Sequence, residues 1–136
     1  MATRAQAEAL MPVVLDASAV LALYFDEPGA ANVQSVLPGA LLTTVNYAEV
    51  IGKCLDRGDT LQAALRKLAA MGIDTVAFDA PLARRAGELR VRTKRLGLSL
   101  ADRACLALAQ REAAPVLTGD RKWTRLELGI DIRLFR

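Results

Sequence analysis

The chain has 136 residues, 53% of them hydrophobic and 24% charged, with a formal net charge of +3. That length buries a real core as one domain, and that composition excludes a disordered chain. No apolar run reaches the roughly 18 residues of a membrane span, and the absence of histidine removes His-dependent catalysis and most zinc chemistry.

Residues 1–11 are expected to form a polar extension, helical or disordered, ahead of a domain over 12–136. The lead MATRAQAEAL lacks the apolar segment of a secretory signal. Met11–Asp16 (MPVVLD) is β-branched, ends on an acid and predicts a buried strand. Helix is expected over Ala17–Phe25 and again over Ala30–Leu37, halted at Pro28-Gly29 and Pro38-Gly39. A second strand, Ala40–Thr43, leads to Thr44 as N-cap of a helix to about Arg57, with Gly58 at its C′ position. Asp59 is expected to cap the next helix, which runs through Met71 to Gly72. A third strand follows at Asp74–Phe78.

Asp79 and Pro81 open a helix to about Leu96-Gly97. Leu82, Ala86, Leu89 and Leu96 form its buried stripe, and Arg84, Glu88 and Arg92 are spaced as an ion-paired exposed row. Ser99–Glu112 is the following helix, opened by Ser99-x-x-Asp102. Pro115–Thr118 is a fourth strand, a short turn or helix carries Trp123, and Asp131–Phe135 is a fifth. Short apolar strands alternating with helices predict an α/β fold: a central parallel sheet of about five strands with helices on both faces. Cys54 and Cys105 fall among helical apolar residues and read as core thiols of a reducing cytoplasm, with a bridge between them left open.

Asp16, Glu49, Asp102 and Asp120 each interrupt or end an apolar run. Every one has a local explanation. Asp16 and Asp120 suit caps or turns, Asp102 suits a capping box, and Glu49 suits a surface pair with Lys53. Jointly they say more. Asp16 and Asp120 end predicted parallel strands and Asp102 opens a helix, at the edge where open α/β sheets bind ligands. Like charges about 4 Å apart cost on the order of 4 kcal/mol per pair at an effective dielectric near 20, and a divalent ion reverses that sign. The pattern therefore predicts a carboxylate-lined metal site. All-oxygen ligation suits Mg²⁺, with Mn²⁺ as substitute.

The segments VVLDASAVLALYFDEPG, NYAEV, LGLSLADRACLALA and PVLTGDRKW resemble the PIN-domain ribonucleases, most closely the VapC toxins of bacterial and archaeal toxin–antitoxin pairs. The likeness runs from about Val13 to Phe135. It implies a PIN-like fold and the acid order Asp, Glu, Asp, Asp, carried here by Asp16, Glu49, Asp102 and Asp120, with Ser18 and Thr118 as hydroxyls beside the metal. It further implies a VapB-like antitoxin partner and a homodimer.

With neither His nor an activated Cys, the best nucleophile is water readied by the metal, and the expected reaction is phosphodiester hydrolysis of RNA. Asp16, Asp102 and Asp120 are the expected ligands, while Glu49 would ligate or position the water. Fourteen of the 18 basic residues are Arg, the type suited to phosphate. Arg103 and Arg121, each directly after a site acid, and Arg90, Arg92 and Arg95 are the RNA-contact candidates. Val33, Val36, Leu37 and Tyr47 are apolar candidates for a dimer contact. A phosphoacceptor module is disfavoured because Ser18 stands where a haloacid-dehalogenase pattern needs a second Asp. The main alternative is an inactive PIN-like module that holds RNA or a partner.

Overall fold

A computed structural model describes residues 11–136; the predicted extension, apart from Met11, lies outside the described residues. Five strands, β1 (Val14–Leu15), β2 (Leu41–Thr43), β3 (Asp74–Val76), β4 (Val116–Thr118) and β5 (Ile132–Leu134), form one sheet in the order β3-β2-β1-β4-β5. Every pairing is parallel, with Val14 opposite both Leu41 and Val116, and Leu15 opposite Leu117. The chain winds outward from β1 to β3, then returns to the other side of β1 as β4. The switch in strand order therefore falls between β1 and β4, and open α/β sheets bind their ligands at the carboxyl ends of the strands flanking such a switch.

Alternation along the strands divides the interior into two cores. Leu15, Leu42 and Leu117 face α1 (Ala17–Tyr24), α2 (Ala30–Gln34), α3 (Thr44–Asp56) and α4 (Leu61–Ala70). Val14 and Val116 face the opposite layer, built from α5 (Ala80–Glu88), α7 (Leu100–Glu112) and the fully buried Trp123. Both cysteines are buried and free, one in each core. Val33 and Leu37 belong to the first core and are spent there, while Val36 and Tyr47 pack against it half-buried. The exposed leucines are instead Leu55, Leu61 and Leu65 on α3 and α4, with Leu100 at the start of α7.

Several local expectations shift by a residue. Thr43, not Thr44, caps α3, its hydroxyl accepting from Asn46 N at 3.1 Å; the Thr44 hydroxyl accepts from Phe78 N at 3.0 Å. Thr60, not Asp59, caps α4. Asp59 instead accepts a hydrogen bond from Tyr24 and sits 3.6 Å from the Lys67 ammonium. These contacts hold the Asp59 carboxyl below its ordinary pKa, led by the Tyr24 bond.

The long helix predicted from Asp79 to Leu96 breaks at Leu89, continuing as a one-turn α6 (Arg90–Thr93) and a 3₁₀ turn. The buried Thr93 hydroxyl donates back to Leu89 O at 2.8 Å, a bond that bends helices. The Arg84–Glu88–Arg92 row makes no ion pair among the described residues. Arg92 donates to Glu127 O instead.

At the carboxyl edge, Phe135 follows β5 and is 1% exposed. Its ring lies against Gly119, where an added Cβ would come within 3.0 Å of it. Its carbonyl passes so near Gly29 (φ +89°) that a Cβ there would meet it at 2.5 Å. Both glycines permit an approach that a side chain would block.

Candidate active site

Asp16 sits at the end of β1 and caps α1, accepting from Ala19 N at 3.0 Å. The same oxygen, Oδ1, accepts from Ser18 Oγ at 2.7 Å, and Oδ2 accepts from Thr118 Oγ1 at 2.5 Å. Hydroxyl–carboxylate bonds of this length are charge-assisted. Each hydroxyl also accepts from the turn after β4: Ser18 Oγ from Gly119 N and Thr118 Oγ1 from Asp120 N, both at 3.0 Å. The β1–α1 junction is thereby stapled to the turn that carries Asp120. Ser18 and Thr118, expected as hydroxyls beside a metal, bond directly to Asp16.

Asp16 is only 6% exposed, and burial pushes its carboxyl above the ordinary carboxylate value. The bonds from Thr118, Ser18 and Ala19 pull it back, and the Asp102 charge pushes it up again. No charged Lys or Arg nitrogen lies within 4.0 Å of a carboxylate oxygen of Asp16, Glu49 or Asp102 among the described residues. The surface pair Glu49–Lys53 is therefore not made. Glu49 is exposed as a residue, yet partial desolvation raises its carboxyl too, opposed by the Asn46 amide, supported by the Asp102 charge and opposed again by Lys53.

Asp102 lies on the first turn of α7 in a reciprocal capping box: Ser99 N donates to Oδ2 at 2.9 Å and Asp102 N donates to Ser99 Oγ at 3.1 Å. Asp120 accepts from Lys122 N at 3.0 Å and caps the 3₁₀ turn Arg121–Arg125, with Lys122 Nζ 4.0 Å from Oδ2. Beneath the acids, Cys105 donates to Leu15 O at 3.7 Å. Burial raises its pKa well above the ordinary thiol value, and the charges of Asp16, Asp102 and Glu49 add to that. Such a thiol stays neutral and inert.

The fold thus brings the four acids to one neighbourhood while giving three of them a local cap as well. Among the described residues no three acids stand close enough to hold an ion as they are. Without a cation, mutual repulsion favours this spread arrangement, with Asp16, Asp102 and Asp120 each turned to a backbone amide of its own turn. The donor chemistry nevertheless fits a hard divalent ion. It is all oxygen, one carboxylate is desolvated, and no basic side chain neutralises Asp16, Glu49 or Asp102.

The basic candidates separate. Arg121 is exposed on the rim beside Asp120 and donates to Arg136 O at 3.2 Å. Arg90, Arg92 and Arg95 are exposed on the α6 segment. Arg103 turns away: Nη1 donates to Ala86 O at 2.9 Å and Nε is buried without a partner, so this side chain pins α7 to α5.

Asn46, which pattern reading passed over, is 2% exposed on α3. Its Oδ1 accepts from Thr43 Oγ1 at 2.6 Å and its Nδ2 donates to Ala101 O at 3.1 Å, beside Asp102. One signal was there. Asn46, Val50 and Cys54 make the buried stripe of α3 at four-residue spacing, and a polar residue in such a stripe requires partners.

The DNA-bound VapBC complex of Salmonella typhimurium superposes with TM-score 0.73 at 15% identity, covering 93% of this chain and 100% of the other. A toxin–antitoxin complex from Klebsiella pneumoniae gives 0.71 at 19% identity over 87% and 94%. VapC20 of Mycobacterium tuberculosis, a sarcin–ricin loop cleaving toxin, gives 0.63 at 16% over 88% and 98%. At these identities the likeness is one of fold. No curated protein sequence matches. The family model for the PIN domain matches residues 13–128, a span that contains all four acids and both hydroxyls bonded to Asp16. The chain belongs to the PIN-domain family.

Proposed function

We propose that this protein is a metal-dependent endoribonuclease that hydrolyses phosphodiester bonds, and the toxin of a type II toxin–antitoxin pair. One observation carries the reading: a buried carboxylate, Asp16, held by hydroxyls and an amide without a basic partner, at the carboxyl edge of the sheet where the strand order switches. Family membership and the toxin–antitoxin neighbours support it.

Asp16, Asp102 and Asp120 would hold Mg²⁺, or Mn²⁺ in its place, with Glu49 as a further ligand or proton acceptor. When bound, the ion would offset charge on the scissile phosphate and make water a better nucleophile. Ser18 and Thr118 hold both Asp16 oxygens in a fixed plane. A raised pKa brings Glu49 nearer the range where a carboxylate accepts a proton efficiently. Arg121, and more distantly Arg90, Arg92 and Arg95, would contact RNA phosphates; Arg103 would act by fixing the helix that carries Asp102.

A VapB-like antitoxin and a second copy of the chain are the proposed partners, the cytoplasm the proposed location, and residues 12–136 the nuclease domain. No helix among the described residues is long and apolar enough to cross a membrane.

The second reading, an inactive PIN-like module that holds RNA or a partner, draws on the spread arrangement of the acids. Incubating purified protein with total cellular RNA separates the two. Discrete new 5′ ends that require Mg²⁺ or Mn²⁺ and vanish with EDTA are expected; RNA left intact under every metal condition would favour the inactive module.

A further inference from the structure

We infer that Asn46 is a positioning residue that locks the helix carrying Glu49 to the helix carrying Asp102, setting the separation at which both carboxylates can serve one cation. The inference rests on the metal-nuclease reading above and adds to it a residue outside the acid set.

The geometry is specific. Asn46 stands on the first turn of α3, three residues before Glu49, so the two side chains lie one above the other on neighbouring turns. Its Nδ2 reaches across 55 residues of sequence to Ala101 O, the carbonyl directly before Asp102. Among the described residues this is the only side-chain hydrogen bond between α3 and α7. Oδ1 is held in turn by the Thr43 hydroxyl, at the carboxyl end of β2, and Thr43 also accepts from Asn46 N.

The amide is thus fixed at both ends, and its orientation follows because only the NH₂ group can donate to Ala101 O. The other fully buried side chains of the two helices, among them Val50 and Cys54 on α3 and Cys105 and Leu106 on α7, are apolar or thiol groups, and apolar packing resists compression but not sliding. A directional bond adjacent to each acid defines how far α3 slides along α7. Glu49 and Asp102 repel each other, so the tie also resists the force that would part them before an ion arrives. Groups that orient metal ligands without touching the metal are typically worth 10–100-fold in affinity.

The test compares Asn46→Ala, Asn46→Ser and Thr60→Ala with wild type. Serine keeps an acceptor for Thr43 but is too short to reach Ala101 O. Thr60→Ala removes a helix-cap bond of the same kind from α4, beyond the far end of α3, which lies roughly 10 Å along that helix from Glu49. Mn²⁺ affinity is read by electron paramagnetic resonance of free Mn²⁺, and RNA cleavage at limiting and saturating Mn²⁺, all well below each variant's melting temperature.

Both Asn46 variants are expected to bind Mn²⁺ at least about 10-fold more weakly. Their cleavage defect should shrink at saturating Mn²⁺, and Thr60→Ala should bind within twofold of wild type. Should Asn46→Ala fail to fold, Asn46→Ser carries the comparison. Wild-type affinity in a folded Asn46 variant, or an equal loss in Thr60→Ala, would overturn the inference and leave the nuclease reading intact. No Mn²⁺ binding and no cleavage by wild type would overturn both.

Discussion

Asp16→Asn is expected to reduce metal-dependent RNA cleavage by more than about 100-fold, beyond what loss of a group behind the ligands costs. The same substitution should raise the melting temperature of the metal-free protein. The two effects have one cause. The Asp16 carboxylate is buried without a cation, and burial raises its pKa in the folded state. Folding therefore favours the protonated acid, and the charged form at neutral pH costs stability. Asparagine keeps the shape and the acceptor oxygen while removing that charge.

The sign of the pH dependence follows. A folded pKa above the unfolded one contributes stability fully present below the ordinary value of 3.8 and lost as pH rises through the raised folded value. In metal-free wild type, the part of stability due to Asp16 should fall with rising pH over that window. In Asp16→Asn that slope should be missing, and saturating Mn²⁺ should flatten it in wild type. Thermal melts across pH with EDTA and with Mn²⁺ check this; a variant that melts lower than metal-free wild type and cuts RNA normally would contradict it.

Phe135→Ala should produce the largest loss of stability among single core truncations near the site. A buried Phe cut to Ala costs about 3–5 kcal/mol, which for a domain of this size lowers the melting temperature by roughly 10–20 °C. The ring fills the space left by Gly119, the Phe135 amide donates to Thr118 O at 3.2 Å, and Asn32 Nδ2 donates to Phe135 O at 2.9 Å. The last strand is thus wedged between the turn that carries Asp120 and the corner between α1 and α2. Cavity formation should loosen that turn, so Mn²⁺ affinity should fall along with stability. Calorimetric unfolding and metal titration of the same sample would show it. A drop of less than about 3 °C would mean that the wedge is not part of the core.

Much of this arrangement is written in local pattern. The β-branched runs at Val14 and Val116 end on Asp16 and lead through Thr118 to Asp120, so alternation alone puts those acids at strand ends. Ser99 and Asp102 satisfy each other within four residues, and the capping box they predict is present. What the pattern left out depends on distant partners. Thr43 and Thr44 are adjacent hydroxyls with equal cap propensity, and only the Phe78 amide, 34 residues away, assigns the second to another task. Arg103 reads as a phosphate contact beside a site acid until α5 offers it the Ala86 carbonyl. Asn46 is one letter in NYAEV until α7 presents Ala101. The Leu89 break likewise falls at the carbonyl that takes a buried threonine back-bond, inside a stripe of otherwise unbroken helical period.

The claim beneath all of these is that a divalent ion draws the spread carboxylates together. Anomalous diffraction from crystals soaked in Mn²⁺ tests it most directly. A peak is expected at the carboxyl ends of β1 and β4, within about 2.0–2.4 Å of oxygens from Asp16 and at least one of Asp102, Asp120 and Glu49. Crystals that bind Mn²⁺ only elsewhere, or not at all, with Asp102 and Asp120 still turned to their own caps, would contradict the account.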